Sequence, residues 1–331
     1  MITKYHAKIS GTGMHVPEKI LNNYDLEKIV DTSDEWIKIR TGMFERHIAA
    51  DSEAASDIAY QAALKALDSA GIRAKELDMI IVASVTNDHA FPATACILQK
   101  LLGAREIPAF DISAGCSGWI YAANIAKQYI ENGICSHILI IGVDLLSKIV
   151  NWSDRNTCVL FGDGAGATII SKAEPSDISC FIDSHISSDG SSYDLLIQPA
   201  GGSRQPASEK TVKDNLHTIY MEGNKIFKLA IRSMNDACHI VLKRNNMDIR
   251  SIDWLITHQA NLRIIEALGK KLRIAEEKVI VNIEKYANTS AATIPIAMDE
   301  AIHLGKIRHG DLVLMATFGA GLTSGSLLIR Y

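Results

Sequence analysis

The sequence lacks several features that would assign a function at sight. It has no excess of positive charge. The formal charge over 331 residues is -4, against the basic surface that a nucleic-acid partner calls for. No apolar run approaches the roughly 18 residues of a membrane span. The opening Met1-Ile-Thr-Lys-Tyr-His-Ala-Lys-Ile9 has neither the apolar core nor the cleavage site of a secretory signal. The six cysteines (Cys96, Cys116, Cys135, Cys158, Cys180 and Cys238) are scattered with no C-x-x-C pair. Neither a metal site nor a disulfide framework is therefore expected, and a reducing cytoplasm is the simplest compartment. There is no low-complexity tract. Phe161-Gly-Asp-Gly-Ala-Gly-Ala-Thr-Ile-Ile170 lacks the G-x-G-x-x-G spacing and leads into a strand, so it reads as a structural turn and not as a nucleotide loop.

What is present is the composition of a soluble globular protein, 47% apolar and 22% charged, long enough for two domains or one duplicated one. Short apolar strands alternate with helical spacings. Strands are expected at 8–17, 77–84, 107–112 and 137–142, and helices at 23–30, 32–40, 54–70, 92–102 and 120–130. Ser33 caps the second helix, and Gly71 ends the third. Residues 187–209, rich in Ser, Gly and Pro, read as loop. Continuously apolar strands between helices imply an α/β fold with sheets covered on both faces.

The second half repeats the first. Ile72-Arg-Ala-Lys-Glu-Leu-Asp78-Met-Ile-Ile-Val82 matches Met247-Asp-Ile-Arg-Ser-Ile-Asp253-Trp-Leu-Ile-Thr257 at an offset of 175. His137-Ile-Leu-Ile-Ile-Gly142 matches Asp311-Leu-Val-Leu-Met-Ala316 at 174, and Phe161-Gly-Asp-Gly-Ala-Gly166 matches Phe318-Gly-Ala-Gly-Leu-Thr323 at a shorter offset. The halves are expected to divide as 1–175 and 176–331, with a site at the interface between them.

Asp111-Ile-Ser-Ala-Gly-Cys116-Ser-Gly-Trp-Ile120 puts a cysteine where a buried strand turns through small residues into a helix. Free N–H groups and the helix dipole there favour a thiolate. Most buried cysteines are inert, so the position alone does not decide. At the offset of 175, Cys116 falls on Ala291, which sets Tyr286-Ala-Asn-Thr-Ser290 opposite it. His258 leaves a strand end in Trp254-Leu-Ile-Thr-His-Gln-Ala-Asn-Leu-Arg263. Alone, such a histidine is more often structural, and Asn288 more often a turn or cap residue. Together the three suit acyl transfer followed by carbon–carbon bond formation. A thiolate accepts the acyl group, and imidazole and amide donors hold the enolate oxygen left when a malonyl thioester loses CO2.

These motifs resemble β-ketoacyl-acyl carrier protein synthase III, the thiolase-fold condensing enzyme that starts fatty-acid synthesis. The resemblance runs nearly end to end: Thr32-Ser-Asp-Glu-Trp-Ile37, Arg40-Thr-Gly42, His89-Ala-Phe-Pro92, the Cys116 turn, Asp154-Arg155, Phe161-Gly-Asp-Gly-Ala-Gly166, Met221-Glu-Gly-Asn224, His258-Gln-Ala-Asn-Leu-Arg263, Tyr286-Ala-Asn-Thr-Ser290 and the turn at Gly319. It implies a five-layered αβαβα thiolase-like fold of duplicated βα halves. It implies a Cys116, His258 and Asn288 triad, with backbone N–H groups of Cys116 and Gly319 as oxyanion hole. Trp36, Arg40, Arg155 and Asn261 would bind CoA, and Phe91 (crossing from the partner of a homodimer) and Trp119 would bound the acyl pocket. Lys228, Arg263, Lys270 and Lys271 would dock an acidic carrier protein. The substrates implied are an acyl-CoA and malonyl-acyl carrier protein, with no cofactor, metal, nucleic acid or membrane. Trp119, where a smaller aromatic is usual, Ser324, where Trp is usual, and Asn151-Trp-Ser153 depart from the pattern and bear on acyl-chain preference. A secondary-metabolite condensing enzyme or acyltransferase is the alternative; a non-catalytic acyl-binding protein is at odds with the complete triad.

Overall fold

The computed structural model describes residues 5–331, so the first four residues of the N-terminal stretch lie outside the described residues. The elements that build the core come in two series. The first is β1 (His6–His15), α1 (Ala55–Ala70), β2 (Met79–Ala83), α2 (Thr94–Leu102), β3 (Ala109–Ile112), α3 (Gly118–Glu131), β4 (His137–Leu145) and β5 (Asp163–Ala173). The second is β6 (Cys180–Ser188), α4 (Gly223–Arg244), β7 (Trp254–Thr257), α5 (Leu262–Leu272), β8 (Val279–Ile280), α6 (Thr293–His303), β9 (Leu312–Gly319) and β10 (Thr323–Arg330). One sheet runs β1-β5-β4-β2-β3 and the other β6-β10-β9-β7-β8. Both begin with two antiparallel pairings and end with two parallel ones.

Alternation along the strands sorts their side chains into three cores. Met79, Ile81, Ile138 and Ile140 of one sheet, with Ile256, Val313, Met315 and Leu327 of the other, face a central layer made by α3 and α6. The opposite set of the first sheet, Ile80, Val82, Leu139 and Ile141, packs against α1 and α2. Leu255, Leu314 and Leu328 of the second sheet pack against α4 and α5. The result is five layers, αβαβα. Among the described residues no helix is long and apolar enough to cross a membrane.

Strand register corrects the second offset of the internal repeat. Met79 pairs with Ile138 and Trp254 with Val313, so both members of each pair are 175 residues on. At an offset of 174, Ile138 would fall on Leu312, which faces the other side of its sheet. A one-residue slip exchanges the faces of a strand. The glycine-rich stretches are not equivalents either. Phe318-Gly319 closes the outgoing strand β9, whereas Asp163, Gly164 and Gly166 already lie in the incoming strand β5. The expected turn there is strand, and glycine lets α6 come close against it: a Cβ on Gly166 would lie 2.6 Å from the Pro295 ring and 2.9 Å from Ile296 N.

Smaller differences follow from local chemistry. The helix expected over 23–30 keeps its regular part only at Asn23–Leu26. Its successor is Asp34–Thr41, with Ser33 Oγ accepting from the Trp36 N–H. Pro92 precedes α2 by two residues and does not open it. Part of 187–209 is ordered into a 3₁₀ stretch, Gly190–Leu195, and a strand pair of Leu196–Ile197 with Tyr220–Met221.

Gly142 of β4 sits under the second half, where a Cβ would come 2.2 Å from Ala291 O. Gly142→Val is expected to destabilise the chain by about 3 kcal/mol or more through overpacking. An unchanged thermal unfolding midpoint would contradict this reading of the contact.

Candidate active site

The strand β3 ends at Ile112, and a single 3₁₀ turn, Gly115–Ser117, leads into α3. Gly115 holds φ +53, and a Cβ there would lie 2.7 Å from Ala320 N. Gly319, the last residue of β9, lies against the same turn: its Cβ would be 2.6 Å from Cys116 N and 2.9 Å from Ser117 N. Two hydroxyls tie the pieces together. Thr317 Oγ1 donates to Cys116 O at 3.1 Å, and Thr323 Oγ1 donates to Ala114 O at 2.8 Å. The β9–β10 hairpin of the second half is thus fixed against the cysteine turn of the first.

Across from it, the 3₁₀ turn Ser290–Ala292 leads into α6 as Gly115–Ser117 leads into α3. Ala291 stands where Cys116 stands, and Ser290 adopts the same φ of 53 that Gly115 has. Asn288, just before, is anchored by its backbone to both flanks of Phe161: its N–H donates to Leu160 O and its carbonyl accepts from Gly162 N. Its Oδ1 accepts the Ser290 N–H at 2.8 Å, leaving the NH2 as the donor for a ligand. His258 follows the end of β7, its N–H on Ala316 O at 2.8 Å. Its Nδ1 meets Thr293 Oγ1 at 2.7 Å, and that hydroxyl donates to Ser290 O at 3.0 Å. Burial pushes the imidazole down to about 3, so the ring is neutral.

Burial also pushes the Cys116 thiol up to about 12, with Asp144 adding to the rise and the Ser290 side chain opposing it. The thiolate expected from the helix N-terminus is therefore corrected to a thiol: loss of solvent outweighs the helix dipole. Asp144, Ser290, Thr293 and Thr317 are site residues that sequence reading missed. Asp144 had a signal, as an acid ending the apolar run of β4. Its buried carboxylate accepts from Ser84 Oγ, Val85 N, and Thr86 N and Oγ1, and faces Ala291 N at 3.4 Å.

Cys116, His258, Asn288 and Gly319 line one cavity of about 930 Å³, together with Trp36, Arg40, Asn261, Lys228 and Arg263. Arg40, Lys228 and Arg263 are exposed and mark its outer end. The Arg155 guanidinium lies over the Trp36 ring at 5.2 Å and that of Arg40 at 5.9 Å. Asn261 is engaged already: its Oδ1 accepts the Arg263 N–H, capping α5, and its Nδ2 donates to Arg40 O. Lys270 and Lys271 are exposed on the last turn of α5. Arg155, Lys270 and Lys271 do not line the cavity, and neither do Phe91 and Trp119. Phe91 is 86% exposed, and Trp119 is 1% exposed in the central core, its indole N–H unpaired among the described residues. Ser324 pairs with Phe318 at the start of β10. Among the described residues no group of three or more His, Cys, Asp or Glu side chains is placed to hold a metal ion.

Residues 110–190 match the family model described as 3-oxoacyl-[acyl-carrier-protein] synthase III, and residues 242–331 match that of its C-terminal part. The β-ketoacyl-[acyl-carrier-protein] synthase III of Caldanaerobacter subterraneus subsp. tengcongensis is 53% identical over 331 residues, 100% of this chain and 99% of the relative. The chain belongs to the β-ketoacyl-[acyl-carrier-protein] synthase III family. It is thereby an acyl-condensing transferase. The crystal structure of the Aquifex aeolicus 3-oxoacyl-[acyl-carrier-protein] synthase III superposes with a TM-score of 0.91 at 48% identity, covering 98% of this chain and 100% of that one. The priming β-ketosynthase of the R1128 polyketide pathway also superposes at 0.91, but at 27% identity, covering 99% and 97%.

A thiol this high predicts that alkylation of Cys116 in the free synthase rises about tenfold per pH unit, because the thiolate fraction does so below the pKa. Iodoacetamide labelling followed by peptide mass analysis should show no plateau up to pH 9. A plateau near pH 7 would mean that the thiolate is already formed.

Proposed function

We propose that this synthase condenses a short acyl-CoA, acetyl-CoA first, with malonyl-acyl carrier protein, releasing CoA and CO2 and giving a 3-oxoacyl-acyl carrier protein. The observation that carries the reading is the single cavity in which Cys116 of one half meets His258, Asn288 and Gly319 of the other. Cys116 takes the acyl group as a thioester. The N–H groups of Cys116 and Gly319 receive the oxyanion, supported by the close seat of Gly319 on the cysteine turn. His258 and Asn288 hold the malonyl thioester oxygen while CO2 leaves, and the enolate carbon then attacks the acyl-cysteine.

The CoA nucleotide stacks between Trp36 and Arg155, with Arg40 on its phosphates and Asn261 along the pantetheine arm. At 5.2 Å the Trp36 and Arg155 groups touch each other, so the adenine enters by parting them. Lys228 and Arg263, at the outer end of the cavity, meet the acidic carrier, and Lys270 extends the patch about 10 Å along α5. Two such chains form a homodimer. Support comes from β3, an open sheet edge, and from the exposed Phe91, which fits as the wall of the partner's acyl pocket; Trp119 closes that pocket from within. The halves divide near residue 175, between β5 and β6, and the compartment is the cytoplasm.

Incubation with acetyl-CoA is expected to add one acetyl group, located on Cys116 by intact and peptide mass spectrometry. Absence of an adduct with every short acyl-CoA would refute the mechanism. Asn288→Ala should still acylate but lose decarboxylation of malonyl-acyl carrier protein by about a hundredfold, the cost of removing one oxyanion donor. Arg155→Ala should raise KM for the acyl-CoA with little change in kcat, since stacking binds substrate and transition state alike. Steady-state kinetics distinguish that from a fall in kcat, which would place Arg155 elsewhere.

A further inference from the structure

We propose that Thr293 decides which nitrogen of His258 bears the proton, holding the resting ring as the Nδ1–H tautomer with Nε2 unprotonated. This rests on the condensing reading above and specifies how its histidine works. Nδ1 lies 2.7 Å from Thr293 Oγ1, and Oγ1 lies 3.0 Å from Ser290 O; both bonds are buried. A hydroxyl has one proton, and a carbonyl can only accept. Ser290 O takes the Thr293 N–H on one lone pair and the hydroxyl proton on the other, which leaves Oγ1 an acceptor towards Nδ1, and the imidazole supplies the hydrogen. The ring is neutral, displaced by burial alone with no charged group contributing, so it has one proton to place. Nε2 is left with its lone pair.

The two half-reactions need such a vacancy. Cys116 rests as a thiol, so its proton must leave as Sγ attacks the acyl-CoA carbonyl. It passes to Nε2; the bond from the carbonyl carbon to the CoA sulfur breaks, and the departing thiolate takes the proton. Acyl-Cys116 and free CoA thiol result, with Nε2 vacant again. Condensation then consumes one proton. The malonyl thioester loses CO2, its C–C electron pair becomes the enolate, and attack on the acyl carbonyl expels Cys116 as thiolate. The vacant Nε2 takes up that proton when the malonyl carboxylate arrives, an opposite charge that raises the ring's affinity for it. The imidazolium Nε2–H holds the enolate oxygen beside Asn288 and then protonates Sγ. Thr293 touches no reacting atom and is a positioning residue.

Long-range 1H–15N spectra of the synthase labelled with 15N-histidine read the tautomer directly, the His258 signals being assigned by their loss in His258→Asn. The expected result is Nδ1–H with Nε2 unprotonated. Thr293→Val keeps the shape but removes the acceptor, so the ring should move to Nε2–H. Acylation of Cys116 by acetyl-CoA should then slow at least tenfold while malonyl decarboxylation falls less, and Thr293→Ser should restore both. Nε2–H in the free wild-type chain would overturn the proposal, as would Thr293→Val acylating at the wild-type rate. If Thr293→Val does not fold, the wild-type spectrum decides. A wild-type chain that no acyl-CoA acylates would instead refute the condensing reading and leave the tautomer as measured.

Discussion

The structure depends on the contact between two short turns, one opening α3 and the other opening α6. Each half brings a strand, a 3₁₀ turn and a helix to the middle of the molecule, and the two helices share the central layer. For the turns to meet, the backbones around them must come closer than side chains permit. That is the role of Gly115, Gly142 and Gly319, whose Cβ atoms would all overlap main-chain atoms of the facing half. The central layer supplies the burial that holds this approach in place, about 25 cal/mol for each Å² of apolar surface removed from water. The same approach removes water from Cys116 and His258. Burial keeps one as a thiol and the other as a neutral ring.

Much of this was legible in the sequence, for reasons that can be named. Apolar runs such as Met79–Ala83 have no polar alternation and so announced buried strands. The repeated order of such runs announced the duplication, and the duplication alone set Ala291 opposite Cys116. Register was less legible. Asp311-Leu-Val-Leu aligned with His137-Ile-Leu-Ile one residue out, because apolar residues on both faces of a doubly covered strand leave nothing to mark which face is which. Only the pairing of Trp254 with Val313 fixes it. The charge state of Cys116 was illegible for a related reason. Sequence locates a helix N-terminus, but desolvation comes from residues as distant as Gly319 and Ala320.

Thr293 and Ser290 escaped notice because a hydroxyl near a histidine in space leaves no trace in spacing. Thr293 is 35 residues from His258, and Ser290 reads as an ordinary turn residue until its φ is seen to copy that of Gly115. Asn261 went the other way. The resemblance offers it as a CoA-binding residue, and the fold adds what spacing does not show: its Oδ1 caps α5 and its Nδ2 tethers Arg40 O, with one amide hydrogen to spare.

The duplication was not kept equal. The connection from β4 to β5 spans residues 146–162 and carries Arg155, while its counterpart from β9 to β10 is only residues 320–322. At the position that would mirror Gly319, the first half has Asp144, whose carboxylate fills the space before Ala291 N. The first half therefore places a buried carboxyl group, its pKa raised by burial, where the second half leaves the open backbone of Gly319 beside the cavity. Two halves related by near twofold symmetry thus carry unlike ends at the same place, a backbone glycine in one and a carboxyl side chain in the other.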